Sequence, residues 1–114
     1  MDVDEFRDRS HRYSYLVACE TARRLQEDAG LIQVGRQHLE AFQAGRPEYR
    51  AGYELWLSLL QAGVPTIVSA LTARSPAGDY ARETAPSFGG LPARIRTRLL
   101  AQAATPKAEP VHAP

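Results

Sequence analysis

The sequence predicts an all-α fold: a compact bundle of about five to six short helices with a disordered C-terminal tail. Three observations lead to this prediction. Apolar residues recur at the three- and four-residue spacing of a helix face, and three Gly-x-Pro motifs separate the segments that carry this spacing. No segment of useful length alternates apolar and polar residues as a half-buried strand would, so we expect no β-sheet.

The three Gly-x-Pro motifs predict where helices end and begin. Glycine adopts the left-handed conformation found just past a helix end, and proline suits the first turn of the next helix, where its missing N–H is not needed. The residues that follow the three prolines differ from one another, so the chain is not a repeat protein. The motifs are Gly45-Arg46-Pro47, Gly63-Val64-Pro65 and Gly90-Leu91-Pro92.

A first, long helix is expected over residues 4–28, with Ser10 as a cap or an interruption and Gly30 closing it. Its apolar stripe consists of Phe6, Tyr13, Leu16, Val17 and Leu25. Ser75 and Pro76 predict the N-cap and first turn of a fifth helix that ends before Pro86. The expected ranges of the second, third, fourth and last helices are 31–44, 47–62, 65–74 and 92–103.

The length of the chain fits one domain. A chain of 114 residues buries about two-thirds of its unfolded surface when it folds. We expect residues 1–104 to form this single helical domain. Residues 105–114 hold three prolines and one large apolar residue, too little to offset the entropy of ordering them, so they are expected to form the disordered tail.

The composition is that of a globular protein, with 44% apolar and 24% charged residues. No apolar run approaches the roughly 20 residues of a membrane span, and the N-terminus is acidic where a signal peptide would be basic. We therefore expect a cytoplasmic protein with no membrane partner. Cys19 is the only cysteine, which excludes an internal disulfide and a thiolate zinc cluster; we expect it to be a small buried apolar residue.

No arrangement of residues demands a catalytic chemistry. The three histidines are His11, His38 and His112, and the sequence contains no nucleophile-elbow Gly-x-Ser-x-Gly and no Walker loop. Asp4 and Asp8 share a helix face with His11, but a metal needs a further ligand, and these acids also suit the positive end of a helix dipole. We therefore predict no catalytic residue, no cofactor and no metal site.

The third predicted helix concentrates the largest apolar side chains. Tyr49, Tyr53 and Trp56 follow one another at spacings of four and three residues, so they share one face. One interpretation places them in the core; the other makes them anchors for a partner protein, since tyrosine and tryptophan are enriched at binding surfaces. We expect Tyr49, near the helix start, to be the member that reaches solvent or a partner. Phe88 is a further candidate partner-binding residue.

The arginines of residues 74–98 suggest an alternative function. The whole chain has a net charge of only +1, but the part after residue 57 contains five arginines and Lys107 and only three acidic residues. Arginine neutralises phosphates and reads guanine edges. Arg96 is expected to point away from Arg94 and Arg98, so one recognition face is not cleanly formed. The candidate nucleic-acid-binding residues are Arg74, Arg82, Arg94 and Arg98.

The order of motifs in the second half of the chain is distinctive. A helix led by Trp56 is followed by a short helix, by Arg82 and the segment Pro86-Ser87-Phe88-Gly89-Gly90-Leu91, and by an arginine-bearing helix from Arg94 to Leu100. Over about residues 50–102 this order resembles short uncharacterised bacterial helical proteins, some of them partner-binding or antitoxin-like. The resemblance implies a helical fold and a role of that kind, and it carries over no catalytic or ligand-binding residue.

The predicted function is a non-catalytic helical protein-interaction module. In its narrower form the module is an antitoxin-like regulator. Its predicted partner is another protein, or a second copy of the chain in a homo-oligomer. The alternative is a small nucleic-acid-binding regulator that uses the arginines of residues 74–98.

Overall fold

The computed structural model describes residues 6–104, which form six α-helices. None of these residues lies in a strand, so the all-α prediction is confirmed. Residues 1–5 and the predicted tail at 105–114 lie outside the described residues. Within the described range, no helix has both the length and the apolar character needed to cross a bilayer. The helices are α1 (Arg9–Glu27), α2 (Leu31–Phe42), α3 (Arg50–Ala62), α4 (Val64–Thr72), α5 (Pro76–Thr84) and α6 (Ala93–Ala104), with a 3-10 turn at Pro47–Tyr49 before α3.

Gly45 and Gly63 follow the ends of α2 and α3, as predicted, whereas Gly90 lies six residues beyond the end of α5 and does not end a helix. The φ angles of Gly45, Gly63 and Gly90 are 78°, 105° and 47°, in the left-handed region that favours glycine. The prediction that Gly30 closes the first helix is wrong. Its φ is −62°, and it is the residue that precedes α2, whereas α1 ends at Glu27 with Asp28 as its C-cap.

The start of α1 is set by an aspartate. The Asp8 carboxylate accepts a hydrogen bond of 2.9 Å from the backbone N–H of His11, which satisfies one of the free donors at the helix start. The helix therefore begins at Arg9 and not at residue 4. Ser10, expected as a cap or an interruption, is an ordinary exposed residue of the first turn.

α1 makes its most extensive contacts with α4 and α6. It buries an alanine-rich face, because small side chains allow a second helix to approach closely. Ala18, Ala22 and Leu25 are buried, whereas most of the stripe expected from the sequence is only half-buried. The half-buried members are Phe6, Tyr13, Leu16 and Val17.

Trp56 forms the centre of the core. Its side chain is 0% exposed, and its indole N–H donates a hydrogen bond of 3.0 Å to the carbonyl of Ala81, which ties α3 to α5. This bond removes the cost of burying the indole N–H. The other large side chains that are fully buried are Leu25, Leu39 and Ile67.

Candidate functional site

An apolar groove runs along α1, between that helix and the irregular segment 85–91 that connects α5 to α6. Its volume is about 490 Å³, within the range of roughly 300–1,000 Å³ found for ligand-binding clefts. We name this cleft the α1 groove. Its α1 side includes Tyr13, Ser14, Val17, Thr21 and Arg24, and Phe88 and Leu91 lie on its other side.

The α1 side of the groove follows from helical spacing. Ser14, Val17 and Thr21 recur every three or four residues, so they lie on one face of α1. The lining extends from Tyr13 to Arg24, a distance of about 16 Å along a helix. The α1 groove is therefore elongated.

Phe88 anchors the opposite wall of the groove. The residue is 8% exposed, and its ring meets the ring of Trp56 edge-on, with 5.9 Å between the ring centres. The ring also packs over Gly35 of α2, where an added Cβ would lie 2.3 Å from Phe88 Cε1. The glycine is therefore required at this position to make room for the ring, and the ring fixes the segment 85–91 against α2 and α3.

Two hydrogen bonds fix the same wall on either side of Phe88. The backbone N–H of Ser87 donates to His38 Nδ1 at 3.1 Å. The Arg96 guanidinium, from the first turn of α6, donates to the carbonyl of Leu91. Because side chains from two helices hold the segment, the wall of the α1 groove is formed before any ligand binds.

The charged residues that line the groove are Arg24, Arg82 and Arg96, and none of the described lining residues is acidic. Arg82 has a structural role: its side chain is 5% exposed. Its Nη1 donates to the carbonyls of Leu71 and Ala73, at 2.9 and 2.7 Å. These carbonyls lie at the C-terminal end of α4, so Arg82 caps that helix.

Glu20 is buried on α1 among several arginines. Its Oε2 accepts hydrogen bonds from Arg23 Nη2 at 2.6 Å and from Arg24 Nε at 3.2 Å. Arg98 of α6 lies 3.7 Å from the other carboxylate oxygen. The hydrogen bonds from Arg23 lower the pKa of Glu20, Arg24 acts in the same direction, and burial opposes both. The carboxylate therefore stays charged and joins α1 to α6.

His11 and Asp79 form a second polar cluster, which joins α1 to α5. His11 Nε2 lies 2.9 Å from Asp79 Oδ1, and His11 Nδ1 accepts a hydrogen bond from the backbone N–H of Arg7. Because Nδ1 accepts a hydrogen bond, Nε2 is the ring nitrogen that donates to the carboxylate. The bond to His11 lowers the pKa of Asp79, Arg82 acts in the same direction, and burial opposes both. Both ring nitrogens of His11 are engaged within the protein.

The described residues contain no group of three His, Cys, Asp or Glu side chains placed to hold a metal ion. Asp4, considered with Asp8 and His11 in the sequence, lies outside the described residues. Cys19, expected to be buried, is partly exposed.

The structure separates the four predicted partner-binding residues. Trp56 is enclosed in the core, and Phe88 is mostly buried but borders the α1 groove. Tyr53 is half-buried, and its hydroxyl donates to the carboxylate of Glu40 at 3.1 Å. Tyr49 is 45% exposed. Tyr49 and Tyr53 are not among the residues that line the groove, so the four do not share one surface.

The four predicted nucleic-acid-binding arginines do not form one patch either. Arg82 is buried, and the Arg74 guanidinium packs over the ring of Tyr15, 5.1 Å from its centre. Arg94 and Arg98 are exposed on α6. This helix contacts α1 through Arg12 and Glu20, which do not line the groove. A nucleic-acid-binding role stays a prediction, with Arg94 and Arg98 as its exposed residues.

The α1 side of the groove was not predicted from the sequence. Val17 was expected in the core stripe of the first helix, but it is half-buried and lines the groove. The available signal was the helical spacing of the polar residues Ser14 and Thr21 with Val17, which marks a face less apolar than a core stripe. The other wall lies within the segment 86–91 that the sequence singled out. No protein-family model, curated protein or solved structure matches the chain, so the case for a function depends on this geometry.

Proposed function

We propose that the chain is a non-catalytic protein-interaction module that binds a helical segment of a partner protein in the α1 groove. The observation that carries the proposal is the groove itself, an elongated and mainly apolar cleft on the surface of a folded helical domain. Mainly apolar clefts of this size are few on a protein, and they are the usual sites of binding.

The shape of the groove favours a helix as its occupant. A length of about 16 Å corresponds to three turns of an α-helix. An amphipathic helix docks in such a groove through apolar side chains spaced three or four residues apart, which form a single row. A row of side chains matches the length of this cleft better than a compact small molecule does.

The fixed wall supports the proposal. Phe88 is held over Gly35, and His38 binds the backbone of the same segment. A surface that is ordered before binding loses little conformational entropy when a partner docks, which leaves more of the contact energy for affinity. The antitoxin-like role is the narrower form of this proposal and stays a prediction.

The test is a selection of binding peptides. A displayed library of random peptides of about 15 residues, long enough to form an isolated helix, is selected against the full chain. Binding of the selected peptides is then measured by fluorescence anisotropy with the wild type and with Val17→Glu, which places a charge inside the groove. Leu100→Glu is the matched control, because Leu100 is 50% exposed on α6 and does not line the groove.

We expect the selected peptides to carry apolar residues at helical spacing, to lose at least about tenfold in affinity for Val17→Glu, and to bind Leu100→Glu as they bind the wild type. Failure to select any peptide would overturn the proposal. Peptides that bind Val17→Glu unchanged would place the binding surface elsewhere. A wild-type dimer that Val17→Glu converts to monomers would show that a second copy, and not another protein, fills the groove.

A further inference from the structure

We infer that the helical partner carries a carboxylate in the first turn of its docked segment, and that Arg24 and Arg96 bind this carboxylate at one end of the α1 groove. The inference depends on the proposed function, and it adds the chemistry and the direction of the partner.

Arg24 and Arg96 lie at the same end of the groove. α6 runs antiparallel to α1: Arg12 Nε donates to the carbonyl of Ala103 at 2.7 Å, and Arg98 lies beside Glu20. The first turn of α6, which carries Arg96, is therefore close to the C-terminal end of α1, which carries Arg24. The opposite end of the groove has Tyr13 and Ser14 of α1 in its lining.

The two arginines are accessible to a ligand. Arg24 is 33% exposed and contacts Glu20 through Nε, on one edge of its guanidinium group. Arg96 is exposed and holds the Leu91 carbonyl with one terminal nitrogen. Arg82, the third arginine of the lining, differs from both because its terminal nitrogens bind two carbonyls and Asp79 within the protein.

The lining of the groove has a positive charge at this end. Arg23, Arg24 and Arg98 share the buried carboxylate of Glu20, which lies outside the lining, and Glu27 pairs with Arg23. Asp28, one turn beyond Arg24, accepts a hydrogen bond from the backbone N–H of Gly30. The lining itself contains Arg24 and Arg96 at this end and, among its described residues, no acid, so a carboxylate of the partner complements its charge.

The charge distribution also gives the direction of the partner. Arginine binds carboxylates through paired hydrogen bonds, and these are stronger beside an apolar cleft than in water. Acidic residues are most favourable in the first turn of a helix, where they face the positive end of its dipole. A partner helix with its first turn at Arg24 runs antiparallel to α1. The dipoles of the two helices then point in opposite directions, which is the favourable arrangement for neighbouring helices.

The experiment uses the tightest-binding peptide of the selected set and a version in which each Asp or Glu of its first turn is replaced by Asn or Gln. Both are measured by fluorescence anisotropy against the wild type, an Arg24→Gln, Arg96→Gln double variant, and an Arg9→Gln, Arg46→Gln double variant. Arg9 and Arg46 are exposed and do not line the groove, so the control removes the same charge at other places.

We expect the acidic peptide to bind the wild type about tenfold more tightly than its amide version. This difference in affinity should disappear in the Arg24→Gln, Arg96→Gln double variant and persist in the Arg9→Gln, Arg46→Gln double variant. Equal binding of the two peptides, or selected peptides without acidic residues in the first turn, would overturn this inference and leave the proposed function standing. Peptides that ignore Val17→Glu would overturn the proposed function instead.

A second measurement does not require a variant to fold. Raising the salt concentration from about 0.05 to 0.5 M screens exposed charges. The wild type should then lose affinity for the acidic peptide and retain it for the amide version. Parallel salt curves for the two peptides would contradict a role for Arg24 and Arg96.

Discussion

Replacing Arg82 by methionine tests whether this arginine is part of the fold or part of a nucleic-acid-binding surface. Methionine keeps the aliphatic stem and removes every hydrogen-bond donor. In the wild type these donors bind the carbonyls of Leu71 and Ala73 and the carboxylate of Asp79, at 2.7–2.9 Å. The variant therefore leaves the carbonyls at the C-terminal end of α4 without these donors, and it leaves Asp79 with His11 as its remaining partner.

The size of the effect follows from burial. Removing one member of a buried ion pair costs about 3–5 kcal/mol, and leaving a buried carbonyl unpaired costs about 1–3 kcal/mol. The Asp79 side chain is one-third exposed, so water recovers part of this loss. We therefore expect a loss at the lower end, about 3 kcal/mol. In a domain of this size that lowers Tm by at least about 12 °C.

The assay is thermal unfolding followed by far-ultraviolet circular dichroism at neutral pH, with Arg94→Met as the matched control. Arg94 is exposed on α6, and its replacement should leave Tm within about 2 °C. A fall of less than about 4 °C for Arg82→Met, equivalent to 1 kcal/mol or less, would refute the structural role. Arg82 would then again be available for a ligand.

Three further predictions follow from the core and the charge clusters. Trp56→Ala should destabilise the domain by about 3–5 kcal/mol and Tyr49→Ala by less than about 1 kcal/mol in urea unfolding; a neutral Trp56→Ala would contradict the core position. Gly35→Ala should lower the free energy of unfolding by about 1–3 kcal/mol, because the new methyl group collides with Phe88. Phe88→Leu should destabilise the Gly35→Ala variant less than it destabilises the wild type. The pKa of Glu20 is lower in the folded chain than its unfolded value of about 4.3. Its carboxylate therefore stabilises the fold above about pH 4.3, and this stabilisation is lost as the pH falls through the folded pKa. Glu20→Gln should therefore weaken the acid dependence of unfolding, and an unchanged pH profile would exclude this carboxylate as its source.

The helices were predictable because their boundary signals are local. A positive φ at Gly63 followed by Pro65 depends only on backbone sterics, and these act the same way in any fold. The start of α1 was predicted less well, because Asp8 and Ser10 are both good N-cap residues and only the folded structure shows which one accepts a backbone hydrogen bond.

The partner surface was harder to predict because it depends on contacts between distant segments. The three-residue spacing of Tyr53 and Trp56 shows that they share a helix face, but not which neighbours cover it. Trp56 is covered because Ala81, twenty-five positions later, offers a carbonyl to its indole. The groove wall likewise depends on Phe88 finding the space at Gly35. Helical periodicity contains no information on such pairs.

The construction of the α1 groove determines which substitutions can separate binding from folding. Its outer wall is held by Phe88 packed on Trp56 and Gly35, so a change in any of these alters the core and the groove together. On α1, by contrast, Val17 and Thr21 are only half-buried and face the groove. A loss of binding caused by changing the core residues therefore says little about recognition. A loss caused at Val17 or Thr21 with unchanged Tm identifies the groove as the docking surface.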